Sequence, residues 1–422
     1  MATNAIQAQL TSLQATSCRF CGTPLETTFV DLGVQPPSNS YLRTADLSRM
    51  EAFYPLHAYV CSCCHLVQLE EQQSPEQIFS DYAYFSSYSS SWLDHAKNYC
   101  AEMIRRFGID STRQVVEIAS NDGYLLQNFV KQDIPVLGIE PAGNVALVAQ
   151  RRGVPTRVVF FGRASARKLV EDDYAADLLI GNNVLAHVPD LNDFVAALRI
   201  ALKPDGIITI EFPHLLRLME SNQFDTIYHE HFSYFSFAAA ERIFAAHGLT
   251  LFDVEELPTH GGSLRIYGCH AGSGREIGDR VEAMHRLEQD AGLDTIASYE
   301  NFGERAKAVK RHLLRFLIDA REAGKSVAAY GAAAKGNTLL NYCGIGPDMI
   351  DFVADANPHK QNLFLPGTRI PIVAPAQIAA ARPDYLLILP WNLSDEIIAA
   401  NEFIREWGGQ FVVPIPEARV IP

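Results

Sequence analysis

Two pairs of cysteines, one acid-rich turn and one histidine-rich tetrapeptide hold most of the chemistry this chain offers. Cys18-Arg19-Phe20-Cys21 and Cys61-Ser62-Cys63-Cys64 can each place two thiolates on one tight turn. Together they complete a tetrahedral four-sulfur shell for zinc, with Cys18, Cys21, Cys61 and Cys64 as ligands and Cys63 as the spare that could trade places with a neighbour. The gap between the pairs is longer than in the commonest zinc ribbons. A site with no open ligand position is structural: metal substitutes for the core that about 60 residues cannot build alone. Buried free thiols, the bland alternative, rarely come as two such pairs. Cys100, Cys269 and Cys343 are scattered and read as small core residues.

The second group is Glu117-Ile118-Ala119-Ser120-Asn121-Asp122-Gly123, followed about 20 residues on by Glu140. The third is Tyr228-His229-Glu230-His231. Histidine is the usual side chain for positioned proton transfer near neutral pH. An HxH pair with an acid also suits a metal or a solvated loop, although the spacing of zinc proteases is absent. The aromatic and serine stretch from Asp81 to Trp92 has no clean period. It reads equally as a packed connection or as tyrosines, Tyr82 among them, facing a ligand.

The elements that position these groups are strands alternating with helices. Strands are expected at 115–119, 136–140, 156–160, 177–181 and 207–212, with helices from Tyr124 onward and over 191–202. This is a doubly wound α/β sheet, which binds ligands beyond the carboxyl ends of its strands. Glu117 closes the first strand, and Gly123 is expected to let the backbone approach a ligand. Glu140 closes the second strand, placed to accept both ribose hydroxyls of an adenosine. The turn has one glycine and is not GxGxxG, so a dinucleotide pyrophosphate is disfavoured. S-Adenosylmethionine, with an amino acid tail and no phosphate, fits better; a plain α/β turn is the alternative.

A second α/β unit follows a glycine-rich break at 272–278 and a charged helical stretch over 279–324. Strands are expected at 325–330, 349–354 and 385–389. The small-residue turn Gly331-Ala332-Ala333-Ala334-Lys335-Gly336-Asn337 feeds a helix, which is an anion-binding arrangement. Gly331, Lys335 and Asn337 are the residues expected to hold a substrate diphosphate, against a degenerate repeat kept for architecture. His260-Gly261-Gly262-Ser263 is a weaker candidate for the cleft between domains.

Composition sets the outer limits. Hydrophobic residues are 48% and charged residues 20% of 422, enough apolar material for several cores. Lys+Arg total 35 against Asp+Glu 49, a net charge of -14, which argues against nucleic acid and anionic membranes as partners. No apolar run approaches a spanning helix. The first residues have neither the basic nor the apolar region of a secretory signal, so a reducing cytoplasm is the expected location.

Read in order, these motifs resemble a known family. The four-cysteine front, the 117–123 turn, Gly138-Ile139-Glu140-Pro141, the run from Asn182 to Asp190 and Leu202-Lys203-Pro204-Asp205-Gly206 follow the order seen in class I sugar C-methyltransferases. Those enzymes use S-adenosylmethionine on nucleotide-linked 4-keto sugars. The most specific stretch is Glu211-Phe212-Pro213-His214 followed by Phe224 to Tyr234. The resemblance spans essentially the whole chain. One departure is Ala119, where the generic methyltransferase turn has its first glycine.

The resemblance implies a zinc-binding domain over 1–75, a Rossmann-like methyltransferase domain over 76–270 and a second Rossmann-like domain over 271–422 that helps bind the nucleotide sugar. It implies His231 as the base that removes the proton alpha to the ketone, with Tyr228 and Glu230 beside it. His187 and Tyr82 carry over as further pocket groups, although a structural or cofactor-edge place for His187 stays open. Glu117, Ala119, Asn121, Asp122, Gly123, Glu140 and Asn182 are expected to face the cofactor. The expected reaction is C-methylation of a dTDP-linked 4-keto-6-deoxy sugar at C3, with C5 flanking the same ketone. Its rivals are an O- or N-methyltransferase using the same crevice and a non-enzymatic adaptor. Oligomeric state is left open.

Overall fold

The computed structural model describes residues 16–79, 87 and 90–421. Its elements fall into three sheets. The front one begins with β1 (Thr27–Gln35), β2 (Tyr54–Val60) and β3 (Val67–Leu69), all antiparallel. The central sheet takes β4 (Val115–Ile118), β5 (Val136–Ile139), β6 (Thr156–Arg157), β7 (Ala176–Asn182) and β8 (Leu202–Pro213). Next comes β9 (Ser233–Tyr234), which leaves the central sheet and pairs with β3 to complete the front sheet in the order β1-β2-β3-β9. β10 (Leu249–Leu257) and β11 (Ser263–His270) return to the central sheet, ordered β10-β11-β8-β7-β4-β5-β6.

Every pairing in the central sheet is parallel except those of β11. Helices cover both faces, so β4 and β7 are buried along their whole length and read as continuous apolar runs in the sequence. The chain runs outward from β4 through β5 to β6, then resumes on the other side of β4 at β7. The switch point therefore opens at the carboxyl ends of β4 and β7, between Ala119 and Asn182. The third sheet is β12 (Val327–Tyr330), β13 (Val353–Ala354), β14 (Ile372–Val373), β15 (Tyr385–Ile388), β16 (Gln410–Val413) and β17 (Arg419–Ile421), ordered β14-β13-β12-β15-β16-β17. Its strands are parallel apart from β17.

Several elements differ from expectation. The helix expected from Tyr124 covers only Leu126–Val130. Ala119, Asn121 and Gly123 all take positive φ before it, and Asp133 takes φ 56° after it, so turns consume both ends; Pro135 then bars continuation. The strand expected over 156–160 stops at Arg157 because β6 is an edge strand held by two pairings, leaving Val158, Val159 and Phe160 exposed. The strand expected over 349–354 is Val353–Ala354 alone. The charged stretch over 279–324 is three helices, Asp279–Asp290, Ala297–Glu300 and Phe302–Glu322, interrupted around Gly292 at φ 78°.

The front sheet does not hold itself up. Phe29 on β1 stacks on Phe302, with centroids 4.5 Å apart and planes 7° apart, and meets the Tyr299 edge at 6.2 Å. The same core takes in Leu215, Leu216, Leu218, Met219, Phe224 and Ile227, and then Val327, Leu339 and Leu387 of the third unit. The segment from Leu215 to Ile227 thus leaves the central sheet and is buried between the front and C-terminal units. Phe29→Ala is expected to cost about 3–5 kcal/mol, read as a lower urea midpoint with an unchanged denaturant slope. An unchanged midpoint would show that the front sheet stands without this stack.

Candidate active site

The zinc ligands converge. The sulfurs of Cys18, Cys21, Cys61 and Cys64 all lie within 4.8 Å of one another. Cys18–Cys64 and Cys21–Cys61 are each 3.5 Å apart and Cys21–Cys64 is 3.7 Å. Zinc–sulfur bonds of about 2.3 Å give a tetrahedron with edges of about 3.8 Å, so the donor set fits the ion. All eight cysteines are free thiols, and Cys63 is exposed outside the group. Gln68 donates to Cys18 Sγ at 3.2 Å and the Cys63 amide to Cys61 Sγ at 3.4 Å, the outer hydrogen bonds that orient such ligands.

At the switch point the crevice is acidic. Glu117 is buried at the end of β4, and burial, reinforced by Glu140, Asp122 and Glu211, pushes its carboxyl well above the usual range. Glu140 accepts the Asn121 and Ala142 amides, both at 2.9 Å, which fixes the turn and leaves each oxygen a second lone pair. Asp122 is taken up by Arg152 at 2.9 Å and by the Ser87 hydroxyl. Among the described residues, Glu117 Oε2, Ser120 Oγ and both amide atoms of Asn182 are buried without a hydrogen-bond partner. Such orphans in a crevice mark where a polar ligand would satisfy them. The concentration of acceptor oxygens suits the ammonium and ribose hydroxyls of S-adenosylmethionine.

Two turn residues take left-handed backbone conformations. Gly123 sits at φ 76°, where a Cβ would lie 3.0 Å from Val154 and 3.2 Å from Ala149, so backbone conformation and packing both favour glycine there. Ala119 adopts φ 54°, the left-handed conformation that a glycine would take without strain.

The histidine cluster lies beyond the end of β8. His231 Nδ1 lies 3.0 Å from the Thr226 carbonyl. A carbonyl only accepts, so Nδ1 carries the proton and Nε2 the lone pair. Tyr228 donates its hydroxyl to that Nε2 at 2.8 Å. His187 meets the His231 ring edge-on at 4.7 Å, and its own Nδ1 is buried without a partner among the described residues. Burial, then the neighbouring His187, holds His231 well below the ordinary imidazole value, against the opposing pull of the Thr226 carbonyl. Burial brings His187 down to about 4 despite its hydrogen bond to the Glu230 backbone. Glu230 is buried and accepts from Asn39 of the front unit at 2.6 Å. Tyr82 lies outside the described residues.

Lys335, Gly331 and Asn337 each have a visible task. Lys335 lies over the Trp391 ring at 4.5 Å and donates to Asn392. Burial lowers its ammonium to about 8, opposed by Asp225. Asn337 is buried, with its amide nitrogen donated to the Ser38 carbonyl. Gly331 takes φ 91°, and a Cβ there would strike Pro390 at 2.4 Å.

The structure adds Asp225, Trp92, His95, Glu211 and Arg265, which the sequence reading did not assign to the site, and gives surroundings to His260, the weaker cleft candidate. Asp225 is fully buried, accepts from Trp391 Nε1 at 2.8 Å and is pushed up to about 6 by burial. Trp92 stacks on His95 at 4.8 Å and meets His260 at 5.1 Å. His260 accepts from Asn183 at 3.3 Å and is brought down to about 4 by burial. His95 donates to Glu211 at 2.9 Å, and Arg265 holds the same carboxylate at 2.6 Å. Burial raises Glu211, but these two partners keep it below the usual range. Asp225 lies inside the most specific sequence stretch, and that was the signal available for it.

Comparison with known proteins places family models along most of the chain. A zinc binding domain matches residues 18–79, a methyltransferase domain residues 92–254 and a C-methyltransferase C-terminal domain residues 258–416. C-methyltransferase NovU from Streptomyces niveus is 37% identical over 407 residues, which is 96% of each chain. Among solved structures, the PH0226 protein from Pyrococcus horikoshii OT3 aligns with a TM-score of 0.37 and 16% identity over 46% of this chain and 97% of that one. Magnesium protoporphyrin IX methyltransferase from Synechocystis PCC 6803 aligns with a TM-score of 0.33 and 11% identity over 42% and 79%.

The sulfur geometry predicts one zinc per chain by atomic emission. Cys64→Ser is expected to lose that zinc and lower the melting temperature, while Cys63→Ser keeps both. Full zinc in Cys64→Ser would remove it from the ligand set.

Proposed function

This chain belongs to the C-methyltransferases, and from that premise we propose that it methylates a nucleotide-linked 4-keto-6-deoxy sugar, dTDP-linked, at C3. One observation carries the reading: a half-buried imidazole whose tautomer is fixed by a backbone carbonyl, so that the lone pair sits on Nε2, beside the Tyr228 hydroxyl. Carbon becomes a nucleophile only when a C–H beside the ketone gives up its proton. In this reading His231 takes that proton from C3. The Tyr228 hydroxyl, which occupies Nε2 at rest, turns to the C4 oxygen as negative charge develops there. One such donor is typically worth about 3–4 kcal/mol. His187 stands beside the enolate, and Glu230, held by Asn39, lines the pocket beside the sugar.

S-Adenosylmethionine supplies an electrophilic methyl group on sulfur. We assign its ribose hydroxyls to the free lone pairs of Glu140. Its amino acid tail goes to Glu117, Asn182 and the turn formed by Ala119, Asn121, Asp122 and Gly123. The nucleotide diphosphate is assigned to the C-terminal side of the cleft, where Lys335 supplies the cation and Gly331 and Asn337 shape the turn that presents it. Bringing two bound molecules into line is the main demand of the transfer. A reducing cytoplasm suits this assignment, given eight unpaired thiols; no helix among the described residues is long and apolar enough to cross a membrane.

Labelled cofactor and a panel of dTDP-4-keto-6-deoxy sugars test the reading, with NMR to locate the new methyl. The expected product carries it on C3; a methyl on oxygen or nitrogen would contradict the proposal. His231→Ala is expected to lower turnover about 100- to 10,000-fold with S-adenosylhomocysteine affinity unchanged. The pH profile gives a separate check. His231 must be neutral to act, and its pKa is depressed, so kcat/KM holds as pH falls past 6.5 and is lost only below that. An acid limb above 6.5 would assign the base elsewhere.

A further inference from the structure

Arg19 stands between two zinc-ligand cysteines, yet its side chain works away from the metal. Nη1 donates to the Pro189 carbonyl at 2.8 Å and Nη2 to the Leu69 carbonyl, while the guanidinium carbon lies 5.5 Å from the centre of the Phe232 ring. Pro189 is two residues past His187, and Phe232 is the residue after His231. The Phe232 amide donates to the Ala186 carbonyl at 2.7 Å, and the Leu69 amide to the Phe232 carbonyl at 3.0 Å. Arg19, Pro189, Ala186, Phe232 and Leu69 therefore close a ring of contacts around the backbone that carries both histidines. Of these five, only Arg19 bears a charge.

We infer that Arg19 is a positioning residue for proton removal: through this ring it sets the spacing of His187 and His231 and ties it to the zinc knuckle. The inference rests on the roles proposed above for the two histidines. Its physical basis is the shape of the guanidinium. A planar fork can hold two carbonyls from two chain segments at fixed separation, which the single point charge of a lysine cannot do. The knuckle fixes the base of the fork. The Arg19 amide donates to Gln68 Oε1 at 2.8 Å, and Gln68 in turn donates to Cys18 Sγ at 3.2 Å. Asn192 pins the other side, donating to the Arg19 and Phe20 carbonyls at 3.2 and 3.0 Å. Without the guanidinium the two loops keep the Phe232–Ala186 bond but lose their common anchor, and a shift near 1 Å suffices to misplace a base.

The test uses the full-length, zinc-loaded enzyme carrying Arg19→Met or Arg19→Lys. Zinc content and S-adenosylhomocysteine affinity are expected to match the parent. Turnover and deuterium exchange of the sugar alpha proton are expected to fall together by roughly 10- to 100-fold, with KM for the sugar unchanged. Histidine 15N NMR supplies a readout free of catalysis: the single Nδ1–H tautomer of His231 in the parent gives way to an averaged signal in Arg19→Met. Parent-like turnover and a parent-like 15N signal would overturn the inference, and so would losses that track zinc loss alone. Should Arg19→Met fail to fold, Asn192→Ala loosens the same ring while keeping the guanidinium, and the same pattern at smaller amplitude is expected. Exchange that survives His231→Ala would instead end the base assignment; the 15N comparison keeps that failure distinct from failure of the Arg19 ring.

Discussion

An imidazole can draw a proton from carbon only through a nitrogen that holds a lone pair, and in His231 a backbone carbonyl selects that nitrogen. The Nδ1 bond to Thr226 at 3.0 Å fixes tautomer and ring plane together, as a carboxylate does in better-known catalytic histidines. Burial adds the second half of the constraint, because a desolvated imidazole resists protonation and stays available as a base. The cost is a partly desolvated polar ring, offset by the Tyr228 hydroxyl at rest.

Much of the remaining architecture serves to hold Thr226 and His231 in that relation. Phe224 and Ile227 are buried in the core shared by the front and C-terminal units. Thr338 on the C-terminal helix Ala334–Cys343 donates to the Ile227 carbonyl at 3.1 Å. On the other side β9 begins two residues after His231 and pairs with β3, which follows the second cysteine pair. The zinc knuckle thus connects through β3 and β9 to the backbone that carries His231.

The parts of this arrangement legible in the sequence were those set by local pattern. Buried parallel strands give unbroken apolar runs, so the strands ending at Glu117 and Glu140 could be read directly, and paired cysteines announce a metal. The family resemblance supplied the roles around Tyr228 and His231, which residue types alone left open between catalysis, metal and loop. Two-residue strands such as β9 leave no periodic trace. Nor do side chains recruited across long separations, such as Asn39 beside Glu230 or Trp391 beside Asp225, because their partners are fixed by domain packing. The helix expected from Tyr124 failed for a local reason, positive φ at Ala119, Asn121 and Gly123 in the turn before it, that composition does not reveal.

The central claim is that the protein makes a carbanion equivalent before any methyl group moves. The most direct measurement is NMR of the nucleotide-linked 4-keto sugar in deuterated water, with enzyme and S-adenosylhomocysteine present and no methyl donor. Loss of the C3 proton signal at a rate at least equal to turnover, absent in His231→Ala, is the predicted result. A C3 proton that stays in place while the same enzyme preparation methylates the sugar at full rate would contradict it.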